Sequence, residues 1–277
     1  MGTEWGAVVF GLASALIWGG GDFCGGLATR RAAVLAVLAL SQAAGLAALV
    51  LLALIWREPL PPLEAAGWGA AAGVAGTIGL GTLYTGLARG SAAVVAPVSA
   101  VLAAAIPVLI TALSLGVPDA AKLAGFAVAL AGIWCVARSD EPSGRARGLG
   151  YAVLAGCGFG GFFVLIDQAH SGGTFWPLAV ARCVTLLLVL PALLLRDWSA
   201  LRKVPPVAFA SGLLDATGNV CFVLASQFGR LDVAAVLSSL YPASTVLLAR
   251  LVLAERIGRI QQIGLVLVLG SIVLIAG

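Results

Sequence analysis

Apolar residues fall along this chain in blocks of roughly 18–22, the length that crosses the ~30 Å hydrocarbon core of a bilayer. The pattern predicts ten spans: Trp5–Leu27, Ala33–Ile55, Ala65–Leu87, Ala93–Leu113, Leu123–Ala137, Leu149–Gln168, Phe175–Leu195, Val207–Ser226, Val233–Leu253 and Ile260–Ala276. The breaks between them are short and carry turn residues and charges, as at Thr29, Arg57 and Arg89. The expected fold is therefore all-α and integral to the membrane.

The longest polar break, Arg138 to Arg147, divides the chain almost in half. The halves resemble each other. LARGSAAVVAPVSAV from Leu87 aligns with SQFGRLDVAAVLSSL from Ser226, and KLAGFAVALAGIWCVA from Lys122 aligns with QQIGLVLVLGSIVLIAG from Gln261. Gly90 with Gly229 and Gly125 with Gly264 share one offset of about 139 residues, the mark of an internal repeat. A looser match joins LASALIWGGGDF from Leu12 to LAGCGFGGFFV from Leu154. The expected repeats are residues 5–137 and 148–276, five spans each. Two odd-numbered halves joined by a short linker insert with opposite orientation, so the ten helices form an inverted repeat.

Basic residues follow the odd-numbered spans: Arg30, Arg31, Arg89, Arg138, Arg145, Arg147, Arg196, Arg202, Lys203, Arg256 and Arg259. Arg57, Lys122 and Arg230 follow even-numbered ones. The positive-inside rule then places the odd breaks in the cytoplasm and both termini outside.

Composition strengthens the membrane reading. The chain is 61% hydrophobic and 10% charged, with a mean hydropathy of +1.08. Soluble domains hold about 45–50% apolar and about 25% charged residues. The net charge of +4 is scattered between apolar runs, so it is no nucleic-acid footprint. The first run has no basic segment ahead of it and reads as a retained helix. Cys24, Cys135, Cys157, Cys183 and Cys221 form no CxxC pair and are expected to be small buried packing residues. The lone histidine, His170, falls in a loop and supplies no zinc ligand set. No metal or other cofactor is expected.

The polar residues inside apolar spans are the candidates for chemistry. Asp215 lies about eight residues into its span, with Asn219 one turn on along the same face. A carboxylate in bare lipid costs about 2.5–3.5 kcal/mol on the insertion scale, so Asp215 must face the bundle interior. It is either a protonatable or cation-binding group in a cavity, or a structural hydrogen-bonding group. Asp22 lies one turn after Trp18, near the end of its span, where a headgroup-level charge is the simpler reading. Arg182 suits either an anionic solute group or a structural pair with Asp215 or Asp167, and Gln42 occupies the related place in the second span. Pro97, Pro107 and Pro242 fall inside the fourth and ninth spans. Pro242 lacks an N–H, which frees the Ser238 carbonyl to line a cavity beside Ser239. Trp18, Tyr84 and Tyr241 are candidate cavity aromatics, with core packing as the alternative for each. The many glycines of the first, third and sixth spans point to close helix packing. The glycine triplet at Gly19 follows no strand and precedes no lysine, so it is no phosphate loop.

The segments AAVVAPVSAV and VAAVLSSLYPASTVLLARLVLAER, each followed by a glycine-containing helix (LAGFAVALAGIW and QQIGLVLVLGSIVL), resemble the EamA domain. The paired halves are similar to the drug/metabolite transporter superfamily, from about Gly11 to Ala276. The first half departs from the pattern: it has no match for Glu255 and Arg256, and Gly76 and Leu80 stand where Asp215 and Asn219 would fall. Any polar site is therefore asymmetric. The resemblance implies ten helices around a central cavity lined by the first, third, fourth, sixth, eighth and ninth.

The expected function is secondary transport of small organic metabolites, amino acids or drugs, with protons as the candidate coupling ion. The partners are the lipid bilayer and a small-molecule substrate, with no nucleic acid, and the protein is a monomer or homodimer in the cell membrane. An integral-membrane enzyme acting on lipid carriers needs clustered acids, histidine or a nucleophile, which scattered acids and one histidine do not supply. A non-transporting scaffold is the remaining alternative.

Overall fold

In lipid every backbone N–H and C=O must be satisfied within the chain, and long apolar runs meet that demand as helices. The computed structural model describes residues 2–89, 92–137, 148–196, 198–253 and 258–276. The described residues form eleven α-helices: α1 (Gly2–Thr29), α2 (Val34–Ile55), α3 (Leu63–Arg89), α4 (Ala92–Leu115), α5 (Ala120–Ala137), α6 (Leu149–Gln168), α7 (Phe175–Leu194), α8 (Val207–Phe228), α9 (Leu231–Ser238), α10 (Tyr241–Leu253) and α11 (Arg259–Ala276). Short 3₁₀ turns cover Ala169–Gly172 and Trp198–Lys203, and the described residues contain no strand. Seven stretches are long and apolar enough to cross a bilayer, with α9 and α10 together counting as one. The helices over Ala120–Val136 and Arg259–Ile275 are apolar but shorter. α3 is long but glycine-rich, and falls outside both groups.

The eleventh helix comes from a break in the expected ninth span. α9 stops at Ser238, Ser239 and Leu240 make a turn, and α10 starts at Tyr241. Pro242 therefore stands in the first turn of a new helix, where its missing N–H has no partner to lose. The one continuous ninth span expected is instead interrupted at Ser239 and Leu240, just ahead of the proline.

The packing is reciprocal. α1 packs on α8, and α6 packs on α3. α1 meets α9 and α10, as α6 meets α4. α2 meets α8, as α7 meets α3, while α2 with α7 and α5 with α11 pair with each other. Each of these contacts has a counterpart when the halves are exchanged. Two glycines separated by the repeat offset show why backbones come so close. A Cβ on Gly212 would strike the Ser41 carbonyl of α2, and one on Gly73 would strike the Ala181 carbonyl of α7. Small residues at such crossings permit the dense contact that holds helices together in lipid.

Two connections are tied by charge. The Glu58 carboxylate, between α2 and α3, accepts hydrogen bonds from the Thr174, Phe175 and Trp176 amides at 2.6, 2.9 and 3.0 Å. It caps the start of α7, where orphan amides and the helix dipole favour negative charge. The Trp176 indole donates back to the Glu58 carbonyl at 3.0 Å. Arg230 pairs with the buried Asp232 at 2.8 Å and donates to the Gly116 carbonyl at 2.9 Å, joining the α8–α9 turn to the α4–α5 connection.

The cysteine expectation fails. Cys157 and Cys183 are exposed, and Cys24, Cys135 and Cys221 are only partly buried. A thiol is apolar enough to face acyl chains, so a bilayer gives no reason to hide it.

Candidate functional site

A cavity of about 160 Å³ opens among eight helices, lined by Trp18 and Asp22 of α1, Gln42 of α2, Gly76 and Leu80 of α3, Phe159, Phe162 and Phe163 of α6, Arg182 and Thr185 of α7, Asp215 and Asn219 of α8, and by Ala103 of α4 and Tyr241 of α10. Its size exceeds that of an apolar cavity that takes benzene, about 150 Å³, and lies below drug-sized pockets of about 300 Å³ and more. A compact solute fits it.

One wall is polar. The Arg182 side chain is only 6% exposed, and a buried guanidinium must have partners. It donates to the Asp215 carboxylate at 2.6 Å and to the Gln42 side-chain oxygen at 2.8 Å. The Asn219 amide donates to the Asp215 carbonyl at 2.6 Å, one turn back along α8. Gly45 makes the room: a Cβ there would lie 2.9 Å from Arg182 Nη1 and 2.9 Å from the Gly212 carbonyl. Thr185, one turn after Arg182, accepts from Thr77 at 3.1 Å and extends the polar wall.

The opposite wall is aromatic. The Trp18 ring stacks on Phe163 at 5.6 Å and Phe222 at 6.0 Å, and meets Tyr241 edge-on at 6.3 Å. Its Nε1–H donates to the Asp215 carbonyl at 3.3 Å, which links the two walls. A flat apolar body against the rings, with a charged or polar end toward Arg182 and the carboxylates, matches this division.

Of the residues singled out in the sequence, Trp18, Asp22, Gln42, Arg182, Asp215, Asn219 and Tyr241 come together in this one cavity. Asp22, near the C-terminal end of α1, also lines the central cavity. Ser238 stands apart, fully buried, with its hydroxyl donating to the Gly11 carbonyl of α1 at 3.4 Å. Ser239 is also buried, and its hydroxyl has no partner among the described residues. Pro107 is buried in α4, and Pro242 starts α10, so neither break opens into the lining. The side chains of Tyr84 and Pro97, and the Arg138–Arg147 linker, lie outside what the structure describes.

The expected lining from six spans is also corrected. α2 and α7 reach the cavity as well, and α7 brings Arg182. The sequence reading missed Phe159, Phe162 and Phe163, although their i, i+3, i+4 spacing puts them on one face of α6. It missed Thr185, which shares a helix face with Arg182 by the same rule. Gly76 and Leu80 line the cavity opposite their repeat counterparts Asp215 and Asn219, so the site is symmetric in place and asymmetric in chemistry.

The same architecture occurs in a solved structure described as a crystal structure of protein, with a TM-score of 0.76 and 19% identity over 97% of this chain and 95% of that one. At that identity the likeness concerns the fold. No curated protein matches the sequence. The model of the EamA-like transporter family matches twice, over residues 5–138 and 146–277. With nearly its whole length matched by that model, the chain belongs to the EamA-like transporter family, and is a multi-pass membrane transporter of the drug/metabolite transporter superfamily.

Proposed function

We propose that the chain is a ten-span secondary transporter of the cell membrane, with repeats 5–137 and 148–276 inserted in opposite orientation. It moves small organic solutes (metabolites, amino acids or drugs of compact size) and is coupled to protons. The observation that carries this reading is the cluster of Arg182, Asp215, Gln42 and Asn219 facing stacked aromatic rings across one cavity. Charges at this depth in apolar helices are expensive and mark a path for polar cargo.

The reciprocal contacts support a two-fold relation between the halves. With five spans in each half, such an axis lies in the membrane plane, the arrangement that lets one repeat rock against the other around a central site. The sequence has no nucleotide-binding loop, so ATP drive would need a partner. Asp215 is the group for protons: protonation would break its 2.6 Å pair with Arg182 and free the guanidinium within the cavity.

Uptake into proteoliposomes tests this reading. A compact organic solute should exchange in counterflow, and an imposed pH gradient should drive its accumulation. Asp215→Asn, shown to be folded and monodisperse, should lose about tenfold or more of the gradient-driven uptake. Normal accumulation by that variant would remove Asp215 from proton coupling, and absence of counterflow across a broad solute panel would remove the transport mechanism proposed.

A further inference from the structure

We infer that Asp22 recognises the ammonium group of an organic cation, so that the solute class is a compact amine with a flat apolar body. This rests on the transport reading above and adds the charge of the cargo.

The cavity is lined by two carboxylates, Asp22 and Asp215, and one guanidinium, Arg182. Arg182 is committed to Asp215 at 2.6 Å and to Gln42 at 2.8 Å. Asp215 takes that bond on one oxygen and lies 3.4 Å from the Asn219 amide with the other. Asp22 has no hydrogen bond and no ion pair among the described residues, and it stands open to the cavity. With both acids ionised, the site carries one uncompensated negative charge. Charge inside the membrane costs several kcal/mol when unpaired, so a ligand that cancels it is favoured.

Position supports the same conclusion. Asp22 lines both the central cavity and an adjoining space of about 290 Å³ between the ends of α1 and α10. The carboxylate is therefore within reach of a solute in either space. Arg30, at the edge of the adjoining space, has a partner of its own. Trp18 lies one turn before Asp22, and its ring belongs to the aromatic wall. A cation beside a carboxylate and an aromatic face gains from both, the cation–π part being roughly 0.5–2 kcal/mol. An anionic solute meets the reverse situation: Arg182 is already neutralised, and Asp22 repels it.

Three probes with one body separate the possibilities: phenethylammonium, 2-phenylethanol and 3-phenylpropionate. Titration calorimetry on the purified full chain should find the ammonium binding about tenfold or more tighter than the alcohol or the carboxylate. Asp22→Asn should weaken binding of the ammonium far more than binding of the alcohol and so remove most of that preference, and Asp22→Glu should restore part of it. Equal binding of the three, tightest binding of the carboxylate, no binding of the ammonium, or an unchanged preference in Asp22→Asn would each overturn the assignment. Should the variants fail to fold, the ranking on the unaltered protein decides alone. Counterflow of the alcohol or carboxylate, with the ammonium excluded, would refute the cation while leaving transport standing. Tight ammonium binding without counterflow would refute transport while leaving the Asp22 site.

Discussion

Arg182 shows how much one side chain depends on the space left for it. The guanidinium sits among α2, α7 and α8 because Gly45 has no Cβ to occupy that place. Gly45→Ala should therefore cost about 1–3 kcal/mol through overpacking, because a backbone carbonyl and a doubly bonded guanidinium cannot both give way. Gly81→Ala, with nothing within 4 Å of the added atom, should be neutral or gain up to about 1 kcal/mol. Thermal unfolding of the two variants in detergent checks this, and equal effects would contradict it. At this scale the sequence is half legible. Asp215 and Asn219 announce themselves, because a carboxylate and an amide one turn apart in an apolar run must turn toward a polar space or a buried partner. Their partners do not. The Arg182–Gln42 bond depends on which helices become neighbours, and local spacing does not carry that information. The α6 phenylalanines stay hidden for another reason: in a chain this apolar, aromatics at helical spacing look like ordinary packing.

At the scale of elements, hydropathy reports length and misses geometry. The run Val233–Leu253 reads as one span, and its mean apolarity is the same whether or not the helix breaks at Ser239 and Leu240. Pro242 was the visible signal, but a proline fits a kinked helix as well as the first turn of a new one. The α2–α3 connection was equally unreadable. In sequence Glu58 is one charge in a polar linker, yet its carboxylate holds three amides at the start of α7. Hydrogen bonds to a charged group are worth about 1.5–3 kcal/mol, and three orphan amides would lose theirs together. Glu58→Ala should lower the thermal unfolding midpoint by an amount matching a cost of about 2 kcal/mol, and Glu58→Gln, which keeps one acceptor, should lie between. An unchanged midpoint in Glu58→Ala would show that water serves these amides as well as the carboxylate does.

The whole molecule was the most legible scale. The polar linker at the middle and the offset of about 139 residues already imply two related halves, and the family model matches the chain twice, over residues 5–138 and 146–277. The offset also relates Gly73 to Gly212 and Gly76 to Asp215, so it reaches from helix crossings to the cavity wall. What the repeat does not encode is the divergence that makes a site. Asp215 and Asn219 stand in one half against Gly76 and Leu80 in the other, so a twice-repeated scaffold surrounds a cluster of charge that only one repeat supplies at these positions. Alternating access asks the scaffold to expose that cluster to each side in turn. The direct measurement is accessibility of one cavity position from the two sides of the membrane. With Cys24, Cys135, Cys157, Cys183 and Cys221 replaced, Leu80→Cys should react with a membrane-impermeant thiol reagent added to either side of oriented vesicles. A bound solute should slow both reactions. Labelling from one side only, or by lipid-soluble reagents alone, would contradict a cavity that alternates between two aqueous faces.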